Sequence, residues 1–312
     1  MVNLANFNGQ IAPESETRIP VLDRGFLFGD SVYEVMRTVQ GTPFGWIEHL
    51  DRLRRSAEGL ALSLDIDNRT LMARVMATVK EAAHQDSYIR IIVTRGTGTA
   101  PQIDLAYAPG PSTWVILVRE LGASPGQQAH LAIVPRLRLN RRALDPAIKS
   151  GNYLNNVLGL REARERGATE CLFLNEKGLV TEASTSNVYL VKDKRVLTPR
   201  LEAGLLAGIT RSLLLQLCAE AGIPHLEQDL TEADVRGADE LFLSSSVRDI
   251  MPVTAIDGEP VGTGPARGPA GGPTRGEVGP MCTRLMALYQ EFCQRRLREL
   301  YRPELERLLN GA

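Results

Sequence analysis

The chain has 312 residues, 43% apolar and 23% charged, with a formal net charge of −1; that length suits two domains and that composition a soluble globular protein. The near-neutral balance offers no basic surface to nucleic acid or an anionic membrane, no apolar run is long enough to span a bilayer, and the N-terminus lacks the apolar core of a signal peptide, so a cytoplasmic protein is expected. Cys171, Cys218, Cys282 and Cys293 form no CxxC pair, and the four histidines are scattered, so neither a disulfide framework nor a metal site is expected.

Residues 1–50 open with short strand-like pieces: a turn at Gly9-Gln10, an extended Ile19–Leu22, and a Gly- and aromatic-rich loop over 23–30. Ser31–Val39 alternates as a strand does, Gly41-Thr42-Pro43 turns it, and Phe44–Ile47 is expected to return as a hairpin. Glu48–Leu62 has helical spacing, and its Arg52 sits beside the apolar face, either as a solvated arginine or as a phosphate ligand. A second helix begins at Asn68. Tyr88–Thr94 is a β-branched strand with a charge, Arg90, that needs solvent or an anion. After a Gly/Thr/Pro loop over 96–110 and a strand over 113–118, residues 121–129 read as a linker, leaving 1–120 as a small α/β domain.

The second domain, 130–312, starts with a strand over 130–135. Asp145-Pro146-Ala147-Ile148-Lys149-Ser150-Gly151-Asn152-Tyr153 then brings a lysine out of an apolar pair into a small-residue turn, ahead of a helix ending near Gly167. A lysine entering a site from an apolar approach loses hydration, and a neutral amine can capture an aldehyde. Past the strand Glu170–Asn175 and its turn, two strand segments flank the polar cluster 184–186, with Glu182 between apolar and hydroxyl neighbours, either exposed or turned inward. Gly208 precedes a helix whose first N–H groups form an anion site or an ordinary cap. Thr231–Asp234 reads as a capping box. Ser244–Ser246 close the strand 240–243 with donors for a second phosphate contact, and Ile250–Ile256 is expected to continue that strand. Residues 262–280 are too rich in Gly and Pro to pack a core and are expected to be a mobile loop; a helix over 282–300, broken by Pro303, and a short charged helix close the chain.

One lysine, two phosphate-type sites, an inward glutamate, and arginines with tyrosines form the inventory that a phosphorylated aldehyde cofactor needs. Three stretches in order, Ile148–Tyr153, Asn175–Asn187 and Gly204–Thr210, make the sequence resemble the class IV aminotransferases, pyridoxal-phosphate enzymes of fold type IV, over about residues 3–260. The resemblance implies an α/β (α+β) fold of two domains, a small α/β domain and a larger pseudo-barrel domain, and pyridoxal 5'-phosphate as cofactor. It makes Lys149 the Schiff-base lysine and proton shuttle and pairs Glu182 with the pyridine nitrogen. Tyr153 is placed near the ring oxygen and Leu205 on the ring face. Arg52, Ile209, Thr210 and Ser246, with Ser245 beside it, hold the phosphate. For the substrate it implies Tyr33, Tyr88, Arg90 and the Val247 amide, with Phe28 reaching in from the partner subunit of a homodimer whose active site lies at the interface. The expected reaction is ping-pong transfer between an aliphatic, branched-chain-like L-amino acid and 2-oxoglutarate. D-amino acid or (R)-amine transamination and aminodeoxychorismate lysis are the alternatives on the same fold.

Two departures bear on that choice. The loop 96–102 lacks the Arg-x-His pair of D-amino acid aminotransferases. Ser245-Ser246-Val247-Arg248 stands where branched-chain enzymes have Gly-Thr-Ala-Ala, so that Val247 shrinks one pocket and Arg248 or Arg37 is available to a different carboxylate.

Overall fold

The structure is a computed structural model that describes residues 2–122, 128–262 and 276–311. The chain separates into two compact units, one made of Met1–Ala123, Ile148–Asn152 and Cys293–Ala312, the other of Ser124–Ala147 and Tyr153–Phe292. Residues 123–127 of the expected linker, 121–129, lie outside the described residues. A boundary drawn once along the sequence separates Lys149 from the unit it joins, because strand-like pairing ties its segment to distant residues. Tyr33 N donates to Lys149 O (3.0 Å), Gly151 N donates to Ser31 O (2.8 Å), and Val32 bridges Ser150.

The first unit holds strands β1 (Leu4–Phe7), β2 (Gln10–Pro13), β3 (Ser31–Val39), β4 (Thr42–Pro43), β5 (Ser87–Thr94) and β6 (Thr113–Glu120), in the sheet order β2-β1-β6-β5-β3-β4. Its helices are α1 (Arg24–Phe28), α2 (Trp46–Gly59) and α3 (Asn68–Ala82). The 23–30 stretch, expected as loop, forms α1 because the Asp23 side chain caps it by accepting from Gly25 N. The expected hairpin return over 44–47 is shorter: Thr42-Pro43 pairs with Thr38-Val39, and Gly45, at a left-handed φ of 69°, turns the chain into α2. Period-2 alternation places Val32, Glu34, Met36, Ile89, Ile91 and Val93 on one face of the sheet, all buried, while Leu50, Leu53 and Ala57 of α2 and Leu71, Met72 and Val75 of α3 are buried with them.

The second unit holds β7 (Ala129–Leu137), β8 (Glu170–Leu174), β9 (Val180–Ala183), β10 (Asn187–Lys192), β11 (Arg195–Pro199), β12 (His225–Gln228), β13 (Glu240–Ser245), β14 (Asp249–Ile256) and β15 (Glu259–Pro260). They form one mixed sheet ordered β12-β11-β10-β13-β14-β7-β8-β9, with β15 paired to β14. One face is the apolar core of Leu131, Leu172, Val180, Val188, Leu190, Leu241, Leu243 and Val253. On the other, α4 (Leu154–Glu165) covers Ala132, Cys171 and Phe173, and the missing side chain of Gly159 makes room for the Phe173 ring. The segment 250–256 does not continue β13 as expected. It runs back beside it, Ser244 opposite Ile250 and Ser245 opposite Asp249, because Asp249 takes the left-handed conformation (φ 52°) that closes a short hairpin loop. Helices α5 (Ile209–Glu220) and α6 (Glu232–Arg236) follow the expected starts, and α6 carries the Thr231/Asp234 capping box.

Residues 263–275 of the Gly/Pro stretch lie outside the described residues. Beyond them α7 (Pro280–Arg296) does not stop at Pro303. It passes through a π-helical turn, Leu297–Tyr301, into α8 (Arg302–Asn310), with Pro303 in the first turn after it. In the first unit Trp46 Nε1 donates to Tyr301 O (3.0 Å), and the Phe44 ring meets Tyr301 edge-on at 5.0 Å.

Candidate active site

In the first unit the register decides which side chains share a surface. Tyr33 pairs with Ile92, Val35 with Arg90, and Arg37 with Tyr88, so Tyr33, Arg37, Tyr88 and Arg90 project from the face opposite the helices. The Arg90 guanidinium stacks on the Tyr33 ring at 4.1 Å, and Lys149 Nζ lies over the same ring at 4.4 Å and 3.4 Å from its hydroxyl. Lys149 is half-buried, its backbone N–H donates to Ser56 Oγ of α2 (3.1 Å), and Gly151 beside it presses on Ser31 where any Cβ would overlap. One tyrosine ring thus carries both the candidate amine and a guanidinium that has no carboxylate partner among the described residues. Phe28 sits under the Arg24 guanidinium at 5.0 Å, and Arg37 lies over Phe44 at 5.8 Å.

Arg52, on α2, meets Glu34 of β3. Its Nε and Nη2 both reach Glu34 at 2.7 Å, and His49 Nδ1 donates to the same carboxylate at 2.6 Å, since a carboxylate can only accept. Burial alone would raise the Glu34 pKa. The Arg52 charge and hydrogen bonds, with His49, outweigh it and bring the carboxyl down to about 2. Burial holds His49 below its ordinary value, against the pull of Glu34.

The second unit gathers the other expected cofactor residues. Glu182, on β9, is turned inward: Arg138 Nε donates to its Oε1 at 2.8 Å and Leu206 N to its Oε2 at 3.1 Å. Arg138 is itself buried, with Nη1 toward Asn155 and Asn156. Asn187 Nδ2 donates to Leu206 O (2.9 Å) and lies against Gly208, whose Cβ would overlap it, so the 205–208 segment is drawn onto β10. Leu205 is buried in that segment. Gly208 is the N-cap of α5 and supplies no side-chain bond, leaving the first-turn amides of Ile209 and Thr210 without a side-chain cap. Tyr153 is the half-buried N-cap residue of α4. Ser245, Ser246 and Val247 lie at the β13–β14 turn, where Ser245 Oγ accepts from Arg248 N at 3.3 Å.

These donors fit pyridoxal 5'-phosphate. An uncapped helix start suits a phosphate, and a carboxylate with two bonds retains lone pairs for a ring N–H. A half-buried lysine beside a tyrosine hydroxyl suits an aldehyde. Sequence reasoning missed Glu34, Ser56, Arg138 and Asn187. Glu34 was findable, as it sits between Val32 and Met36 on the apolar face of an alternating strand; Arg138 had no local signal.

A family model described as amino-transferase class IV matches residues 31–256. A putative branched-chain-amino-acid aminotransferase of Methanocaldococcus jannaschii is 36% identical over 255 residues, covering 80% of this chain and 87% of that protein. A D-alanine aminotransferase of Bacillus licheniformis is 33% identical over 264 residues, covering 84% and 91%. Among solved structures, the branched-chain aminotransferase of Thermoproteus uzoniensis with norvaline superposes with a TM-score of 0.82 at 27% identity, covering 96% of this chain and 97% of its own. The T.th. branched-chain amino acid aminotransferase with pyridoxamine 5'-phosphate gives 0.83 at 26%, covering 98% and 97%.

Proposed function

The chain belongs to the class IV aminotransferases, with their mixed α/β fold and pyridoxal 5'-phosphate as cofactor, and from that premise we propose that it moves an amino group between an aliphatic, branched-chain-like L-amino acid and 2-oxoglutarate by a ping-pong mechanism. The observation that carries the reading is the Tyr33 ring, with Lys149 Nζ at 4.4 Å and the Arg90 guanidinium at 4.1 Å. A cation without a carboxylate partner beside the reactive amine is the group a substrate carboxylate would neutralise.

When bound, the cofactor supplies an aldehyde for the amino group and an electron-withdrawing ring. Lys149 Nζ would take the proton from the donor Cα and hand it to the cofactor within the same half-reaction, and would run that transfer in reverse to place a proton on the acceptor Cα in the second, with Tyr33 Oη orienting the amine. Glu182, held by Arg138 and Leu206 N, keeps a proton on the ring nitrogen. The amides of Ile209 and Thr210, with Arg52 and Ser246, bind the phosphate. Arg90, flanked by Tyr88 and Arg37, binds substrate carboxylate, the Val247 amide adds a donor, and Tyr153 and Leu205 seat the ring. Lys149→Ala should abolish the cofactor's visible band and lower transamination on the order of a thousandfold or more; wild-type turnover in that variant would refute the assignment.

The 33% identity to a D-alanine aminotransferase keeps D-donors as the second reading. A panel of donors in both enantiomers, with each half-reaction followed by the cofactor spectrum, separates the two. Conversion of L-valine, L-leucine or L-isoleucine supports the proposal, and a preference for D-alanine overturns it.

The enzyme is further proposed to act as a homodimer in the cytoplasm. Val21, Phe26, Ile103 and Leu105 of the first unit are exposed and apolar, as a surface awaiting a second copy would be. The four cysteines are buried and form no disulfide among the described residues, which suits a reducing compartment. No helix of the described residues is long and apolar enough to cross a membrane. Light scattering of the purified protein tests the dimer.

A further inference from the structure

We infer that Arg248 is a positioning residue that clamps the Ser246–Arg248 turn to the Ser184–Ser186 corner, fixing the donors of the proposed site before any ligand arrives. The inference rests on the reading of Ser246 and Val247 given above. It goes beyond that reading by giving a role to the residue at which this chain departs from the branched-chain pattern.

Three separate pieces of chain meet at Arg248. Its Nη2 donates to Thr185 Oγ1 at 2.8 Å and to Ser186 Oγ at 3.1 Å, both in the corner between β9 and β10. The same nitrogen lies 3.5 Å from Glu170 Oε2 at the start of β8, and Nη1 faces Met251 Sδ on β14 at 4.0 Å. Glu170 is the buried half of the device. Its side chain is 4% exposed, and its other oxygen accepts from Ser184 N (3.1 Å) and Cys171 N (3.0 Å). The carboxylate therefore pins the corner through its backbone and the guanidinium through its hydroxyls. The turn is held in addition by the Arg248 N to Ser245 Oγ bond.

That geometry decides between two uses of the arginine. A guanidinium that reads a substrate carboxylate needs a charge not already answered, as at Arg90, which faces no carboxylate among the described residues. Arg248 Nη2 instead gives its two donors to hydroxyls, and the charge is already met by the buried Glu170 carboxylate 3.5 Å away. What the clamp fixes is functional by position. Glu182 lies two residues before Ser184, Asn187 one after Ser186, and Ser246 and Val247 immediately before Arg248. A rigid fork between the two turns places their groups without an ordering cost when cofactor binds.

The test uses the full-length protein, wild type against Arg248→Ala, Arg248→Lys and Thr185→Val, with two readouts. The first is pyridoxal 5'-phosphate affinity by titration of the cofactor-free protein. The second is amide hydrogen exchange of both turns without cofactor. Arg248→Ala should weaken cofactor affinity about tenfold or more, the worth of a charge-assisted hydrogen bond. It should also speed exchange across 184–187 and 245–248 while the rest of the sheet is unchanged. Lysine, lacking the planar fork, should restore the effect only in part, and Thr185→Val should reproduce a smaller version of it should the alanine variant fold poorly. Unchanged exchange and affinity in all three variants would overturn the inference. So would unchanged exchange with a raised KM for 2-oxoglutarate alone, which would make Arg248 a substrate ligand. If the wild type binds no pyridoxal 5'-phosphate, the functional reading fails while the exchange data still decide the clamp.

Discussion

Lys149 and Glu182 are ordinary side chains made specific by their neighbours. The lysine was legible because its small-residue turn is part of a motif, and Arg90 because a charge inside a β-branched strand demands an explanation. The residue that holds Glu182 was not legible: Arg138 lies 44 positions earlier, and only folding brings its Nε to 2.8 Å from the carboxylate. Both side chains are nearly sealed, at 6% and 7% exposure, so the pair matters most when half of it is removed. Arg138→Met should cost about 3–5 kcal/mol by leaving a buried carboxylate without its counter-charge. Adding Glu182→Gln should recover most of that stability but not activity, because a neutral amide cannot hold the ring proton. Denaturant melts of the two variants check this, and a single variant as stable as wild type would remove Arg138 from the role.

At the scale of elements, strands and long helices were legible from periodicity because burial on one face writes a period of two or 3.6 into the chain. What was missed turned on local backbone choices. The β13–β14 reversal depends on one aspartate in the left-handed region, and α2 starts early because Gly45 turns the chain. Pro303 was expected to end a helix, yet the chain runs on through a π-helical turn into α8. The Lys149 segment depends on the same kind of constraint, since Gly151 leaves no room for a Cβ against Ser31. Gly151→Ala should destabilise by about 1–3 kcal/mol through overpacking, and should lower kcat more than it raises KM because it displaces the lysine rather than the carboxylate site. Ser31→Ala in the same chain removes the obstructing hydroxyl and should restore part of both. Steady-state kinetics with thermal melts test the pair; wild-type kcat in the single variant would count against strand pairing as what aims the amine.

For the whole molecule, the chain leaves the first unit, returns to it for Ile148–Asn152 and returns again at Cys293, so neither unit is one stretch of sequence. Composition cannot report such interleaving, and that is why the boundary was drawn once. It also makes the stability of the first unit matter to the lysine that joins it. Its buried charge cluster, Glu34 with Arg52 and His49, sets how that stability depends on acid. His49 has a folded pKa below its ordinary value of 6.5, so below that pH the unfolded chain takes up a proton that the native state refuses, and stability falls. Glu34 goes from 4.5 to about 2 on folding, so its contribution is fully present above 4.5 and is lost as pH falls toward 2. Acidification should therefore lower Tm in two stages, one beginning near pH 6.5 and one near 4.5. His49→Gln should flatten the first stage and leave the second. Glu34→Gln should flatten the second, from a lower starting Tm, since it leaves Arg52 buried without its counter-charge. Melts taken across this pH range decide the matter: two stages that persist unchanged in both variants would mean that other groups carry the acid response.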